Sequence, residues 1–575
     1  MMRRPDVHVL ILCAMLVLAG CGGPAPAPDG DTAPPESSVA GNQPEPAPGG
    51  ETPPATADEG TPVDGDWVII RLPVEPQHLN TLLDTADAYC ARISMDIFDS
   101  LLDMDKDTFE LKPMLAERYE VSEDHLMYTF FMRKDAKFSD GTPVTAKDVK
   151  FTFDAIQNTK NETADLRNYF QDVTAVDLLD DYTIRFTCNK PYFRHLVMLS
   201  GMPVYPMHVY SQGDFNTGAF NRKPMGSGPY VFDSWETNQQ IVLTRNDSAW
   251  NPSTKGHPSK LVYKIITDDN AAFQVLERQE LDVMGLTQEQ WENRASTPQF
   301  EAKFNKHKYW GRTGYAASYG YIGWNMRKPQ FADKRVRQAL TMLLDREEIL
   351  ETVLFGLGKQ VSGPSDLNSR EYDNSIAPWP FDPEKAKTLL DEAGWIDHDS
   401  DGTRDKDGMP FSFEFMLPPG NVEMQTMATV FQEELKRAGI NMRIRNIEWA
   451  AFIETITKRE FDAVTLLWAI PPDSEPYQIW HSSQAEKGSN YPGYKNPEVD
   501  KLLEDIRVEF DREKRIPMFH RIHAILHDEQ PYTFLWSTYA LAAVDKRFQG
   551  VKVHRLGLDS KEWWVPLAEQ RYSEQ

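Results

Sequence analysis

The chain is predicted to be an α/β protein, and three features of its sequence carry that prediction. Segments of helical and of strand periodicity alternate along the chain instead of grouping apart. A strand, a helix and a strand follow one another closely between residues 440 and 468. Turn dipeptides such as Asp140-Gly141 separate the elements.

Taken in order, strands are expected at 128–133 and 182–187, in a mixed α/β region. Between them, Thr145 followed three residues on by Asp148 is a carboxylate variant of the capping box, opening a helix with Val149, Phe153 and Ile156 on one face. Asp333 caps a second helix carrying Val336, Leu340 and Leu343. Asp382 and Pro383 start a third, with Ala386, Leu389, Leu390 and Ala393 along one side and Gly394 as its stop. The helix ending at 435–439 runs into Ile440, Met442 and Ile444, a period-two strand. A short helix from Trp449 to Thr457 and an apolar run at 461–468 complete a βαβ unit, which implies a partly parallel sheet.

At 575 residues the chain is long enough for two to four packed units. With 41% hydrophobic and 11% aromatic residues it is not a wholly disordered chain. Its formal charge of −26, from 61 Lys plus Arg against 87 Asp plus Glu, excludes nucleic acid and anionic lipid head groups as partners, because no cluster of cations is present to replace phosphate counterions. No fixed-period repeat is found.

Arg3 and Arg4 precede an apolar run of twelve residues at 7–18 that includes His8, too short to span a bilayer and of the length of a secretory signal's hydrophobic region. The run ends in Leu18, Ala19, Gly20 and Cys21, which resembles the lipobox of bacterial lipoproteins. Residues 1–20 are therefore read as a signal peptide and Cys21 as the lipidated residue. From there to residue 66 the chain holds eleven Pro, nine acids and no Lys or Arg, the composition of a disordered tether about 140 Å long when extended. Of four Cys, only Cys90 and Cys188 fall in the body, either as a disulfide or as two buried thiols.

No GxSxG, HExxH or phosphate-loop motif is present. His520, His523 and His527 share a helical face, read as a solvated surface in preference to a metal site. Asp397, Asp399, Asp401 and Gly402 match the start of a calcium loop, but Gly408 stands where the loop's last glutamate belongs, and a tight acidic turn is preferred. No cofactor or metal is expected.

Longer strings contain these elements. They are YTFFMRKDAKFSDGTPVTAKDVKF at 128–151, GSGPY at 226–230, Arg245-Asn246, Asn325 leading to VRQAL at 336–340, Asp345-Arg346, DPEKAK at 382–387 with AGW at 393–395, and YKNPEVD at 494–500. Together they resemble the bacterial extracellular solute-binding proteins of family 5, the dipeptide, oligopeptide and nickel-binding lipoproteins of ABC transporters. The resemblance implies a two-lobed α/β periplasmic-binding-protein fold (class II, type C). Lobe I would comprise 67–312 and 540–575, with an extra subdomain inserted at about 95–215, and lobe II 313–539. It implies a non-enzymatic monomer that captures a peptide or other small solute between hinged lobes and passes it to membrane permease subunits. A secreted hydrolase of peptides or glycans is the rival expectation.

By the same resemblance, Trp449 and Trp468 fall where oligopeptide-binding relatives line the pocket. Trp468 also ends an apolar strand before a Pro-rich loop, a position for stacking on ligand or for core packing. Peptide binders place an Asp three residues after that Trp, against the ligand's amino group. Here that residue is Pro471 and the nearest acids are Asp473 and Glu475, so either Asp473 substitutes or the ligand lacks a free amino terminus. Tyr321, Trp324 and Asn325, in the aromatic stretch that begins at Tyr315, join Tyr477 and Tyr89 to complete the candidate ligand-binding set. Arg337 is read as structural.

Overall fold

Two mixed β-sheets organise the molecule, and the chain passes between them twice. A computed structural model describes residues 61–310, 317–418 and 421–572. The signal, Cys21, Tyr315 and the tether up to residue 60 lie outside the described residues.

The first sheet has seven strands. Trp67–Leu72 runs parallel to Lys260–Ile265 and Val283–Gly285, and Ala540–Asp545 pairs antiparallel with both Val283–Gly285 and Phe304–Tyr309. Its side chains alternate. Val68, Leu72, Leu261 and Val544 enter a core shared with residues 79–220, whereas Ile69, Val262 and Ala543 enter a smaller core on the other face with Phe273, Leu276 and Phe300. A separate antiparallel sheet of four strands, Ala116–Val121, Met127–Met132, Thr183–Cys188 and Val173–Asp180, packs into the first of these cores. It lies inside the segment expected as the inserted subdomain.

The GSGPY string seats this region. Gly228 and Tyr230 donate backbone hydrogen bonds to the carbonyls of Ile97 and Asp96, and a Cβ on Gly226 would stand 2.1 Å from the Ile97 oxygen. Only glycine permits so close an approach.

The second sheet has five strands, ordered Asn441–Asn446, Ser412–Leu417, Ala463–Ile470, Ala317–Trp324 and Tyr532–Phe534. Every residue of Ala317–Trp324 is buried, since both faces are covered: Ile322 and Trp324 face a core with Phe331, Leu340 and Phe431, and Tyr319 and Tyr321 face another with Trp480, Leu503 and Phe519. The expected βαβ unit is present in modified form. Its two strands are both parallel to Ser412–Leu417, which lies between them.

Local signals hold where the chain is read closely. The Asp148 carboxylate accepts the Thr145 backbone N–H at 2.9 Å, and Asp382 caps Pro383–Glu392 through the Lys385 N–H. Arg337 is 2% exposed and donates to the carbonyls of Phe331, Ala332, Glu529 and Gln530, a structural use. Cys90 and Cys188 are free and buried, and burial pushes the Cys188 thiol up to about 12.

Two readings need correction. The folded body begins before Trp67: Asp64 pairs with Lys255 and His257, and Asp66, 2% exposed, lies against Arg547. Asp64 and Asp66 therefore belong to the folded body, because both acids have cations waiting for them. The histidine face is also not solvated. His520 bonds the Arg370 carbonyl, His523 bonds Ser362, and His527 stacks on Trp379, so a loop at 362–379 covers the helix.

Candidate ligand site between the lobes

Trp310, the last described residue before the chain enters the second sheet, and Tyr539, where it returns to the first, lie side by side: their ring centroids are 3.8 Å apart, and the Tyr539 N–H bonds the Leu357 carbonyl. Two neighbouring passages of the chain between two lobes are the arrangement of a hinge.

The lobes also meet through a seam built from three local pieces. A loop at 189–194 of the first lobe leads into the helix His195–Ser200. In the second lobe, the Pro-rich loop after Ala463–Ile470 carries Asp473 and Glu475, the last turn of the helix Pro497–Val508 carries Arg507, and the first turn of the helix Arg512–Glu529 carries Arg515. Tyr192 donates its hydroxyl to Glu475 Oε1 at 2.8 Å, and the Phe193 N–H bonds the Arg507 carbonyl at 3.0 Å. Arg515 lies 4.0 Å over the Phe193 ring, Arg507 sits between the rings of Tyr192 and Tyr477, and His125 stacks on Phe510 at 3.6 Å.

Asp473 takes the left-handed backbone conformation at φ 45°, which Asp tolerates better than most residues, and this turns its carboxylate inward. Arg515 Nη2 donates to both of its oxygens, at 2.9 and 3.0 Å. Burial pushes the Asp473 carboxyl up, and the charges of Arg515, Arg194 and Arg512 oppose that rise. Asp473 is thus an ion-paired residue. Glu475 spends Oε1 on Tyr192 and Oε2 on the Tyr477 N–H.

The remaining candidates divide by exposure. Trp449 is 47% exposed and stacked on Phe452. Tyr477, against His481, and Tyr89 in the helix Ala88–Ser94 are half-buried. Trp468 is 8% exposed, lies parallel to Tyr321 and Tyr491, and donates its indole N–H to the Tyr532 hydroxyl. Tyr321, 1% exposed, stacks on Tyr532 at 3.8 Å. Trp324 and Asn325 are turned into the second lobe: the indole bonds Thr533, and the Asn325 amide bonds the carbonyls of Arg459 and Phe461. The sequence reading passed over Tyr192, Arg194, Arg507 and Arg515, which carry no motif. Elsewhere, the carboxylates of Asp397, Asp399 and Asp401 converge within 4.8 Å on the surface, away from the seam.

This hinged arrangement agrees with what known proteins show. The model for bacterial extracellular solute-binding proteins, family 5, matches residues 110–490. The chain belongs to that family. Along its length this solute-binding protein is 33% identical over 527 residues to the oligopeptide-binding protein AppA of Bacillus subtilis, covering 89% of this chain and 94% of that one. It is 25% identical over 506 residues to the dipeptide-binding protein of Escherichia coli, covering 84% and 91%. The solved structure of the Bacillus subtilis AppA in complex with a nonapeptide superposes with a TM-score of 0.75 at 31% identity, covering 88% of this chain and all of that one. The family consists of substrate-binding transport proteins, and the hydrolase expectation finds no support in these matches. Among the described residues no helix is long and apolar enough to cross a membrane.

Proposed function

We propose that this protein is the solute receptor of an ABC importer and that its solute is a peptide or peptide-like molecule enclosed between the lobes. One observation carries the reading: a hinge of two adjacent crossings, with a seam where the lobes touch, in a chain alike in sequence to an oligopeptide binder over nearly its whole length. Clefts at such junctions concentrate binding sites, and closure excludes water from the solute. Trp449, Tyr477 and Tyr89 keep surface available for contact, and we place them against the solute together with the open edge of Trp468. Asp473 acts through Arg515 in shaping the loop. The chain works as a monomer, anchored by lipid on Cys21, with its body in the periplasm or at the cell surface, and hands its solute to permease subunits without chemical change.

Native mass spectrometry and thermal-shift measurements against pools of peptides, oligosaccharides and metal chelates test the reading. Saturable binding and a raised melting temperature are expected with peptides. Hydrolysis of any pool, without saturable binding of one, would overturn it.

A further inference from the structure

Among the described residues of the seam, the carboxylates of Asp473 and Glu475 are engaged, whereas the guanidinium of Arg194 has partnerless nitrogens. The oxygens of Asp473 are held by Arg515, and those of Glu475 by the Tyr192 hydroxyl and the Tyr477 N–H. Arg194 follows directly on the residues that touch the second lobe and is only 5% exposed, yet its Nε and Nη2 are buried without any hydrogen-bond partner. Its charge acts on Asp473 and on the Tyr192 phenol, which sets the guanidinium at the junction of the lobes. Arg507 beside it is only loosely engaged, with Glu475 at 3.8 Å.

Two buried guanidinium nitrogens without partners are costly, and the flat fork of N–H groups they form matches a carboxylate. A solute ammonium entering the same place meets the carboxylates of Asp473 and Glu475 already engaged. We propose that Arg194 is a recognition residue that pairs with a carboxylate of the captured solute, so that the seam selects an acidic group and not an amino terminus. This rests on the reading of the cleft as the ligand site.

The test uses two pools of nonapeptides built from Ala, Gly, Ser, Val and Leu, one with a free carboxyl terminus and one amidated and so free of carboxylates. The affinity of each pool is measured for the wild type, Arg194→Gln and Arg194→Lys. Wild type is expected to favour the carboxylate pool by about ten- to a hundredfold, the range of a charge-assisted pair. Arg194→Gln should bind both pools alike, and Arg194→Lys should restore part of the preference. Without peptide, the melting temperature of Arg194→Gln should equal or exceed that of wild type, because the variant removes an unpaired buried charge. Equal binding of the two pools by wild type, or a preference that survives in Arg194→Gln, overturns the proposal while leaving the solute-receptor reading intact. Binding of neither pool by wild type overturns peptide capture, and the proposal with it.

Discussion

Replacing Tyr192 with phenylalanine removes a single hydroxyl from the place where the lobes meet. The ring stays, with its edge contacts to Phe193 and His195, so the first lobe keeps its packing. What is lost is a 2.8 Å bond to a carboxylate whose side chain is only 6% exposed. A hydrogen bond to a charged acceptor contributes about 1.5–3 kcal/mol. All of it acts on the closed form, because opening separates the partners, so the closed-to-open ratio should fall by about ten- to a hundredfold. Apparent solute affinity should fall by up to the same factor when the free protein is mostly open. Calorimetry of Tyr192→Phe, Glu475→Gln and the double variant, with small-angle scattering of each ligand-free protein, measures this. A non-additive double variant and a larger radius of gyration in Tyr192→Phe are expected. An affinity within twofold of wild type and an unchanged scattering profile would refute the reasoning.

Three further outcomes are expected. Burial, with His527 adding to it, pushes His523 down to about 4, so the folded protein resists protonating it. The stability this represents is complete above the ordinary histidine range near 6.5 and is lost as pH falls toward 4. About 2 kcal/mol should disappear between pH 7.5 and 5 in urea titrations, and His523→Gln should flatten that dependence. Arg547→Met removes the buried cation shared by Asp66, Asp282 and Asp545, leaving Arg571 as the remaining cation beside the last two, and should cost about 3–5 kcal/mol by the same titration while solute affinity is unchanged. Trp468→Ala should cost about 3–5 kcal/mol, as for a large buried aromatic. A variant that kept its denaturation midpoint and lost binding tenfold would instead put the indole face against solute.

The alternating strands and capped helices were legible because periodicity and capping are local: Thr145 and Asp148 are three residues apart, and the inward faces of the strands repeat every second residue. Pairings across long separations left no such trace. Nothing at Asp473 announces that Arg515 will claim its carboxylate from 42 residues away, and nothing at Asp66 points to Arg547, 481 residues on. The placement of Ser412–Leu417 between the two strands of the βαβ unit is likewise a choice of sheet order, which a hydrophobic pattern does not record. Arg194 stayed hidden for a related reason: its interest lies in partners it lacks, and only assembled neighbours reveal that.

The chain enters its folded body at Asp64 and Asp66, and Asp66 is held both by Arg547 and by the backbone N–H groups of Arg571 and Tyr572, while Tyr572 also stacks on Trp67. Both ends of the described part of the chain are thus tied to the same sheet. Residues 64–66 and 571–572 therefore belong mechanically to the first lobe, and a turn of the second lobe at the Trp310–Tyr539 contact leaves their mutual contacts in place.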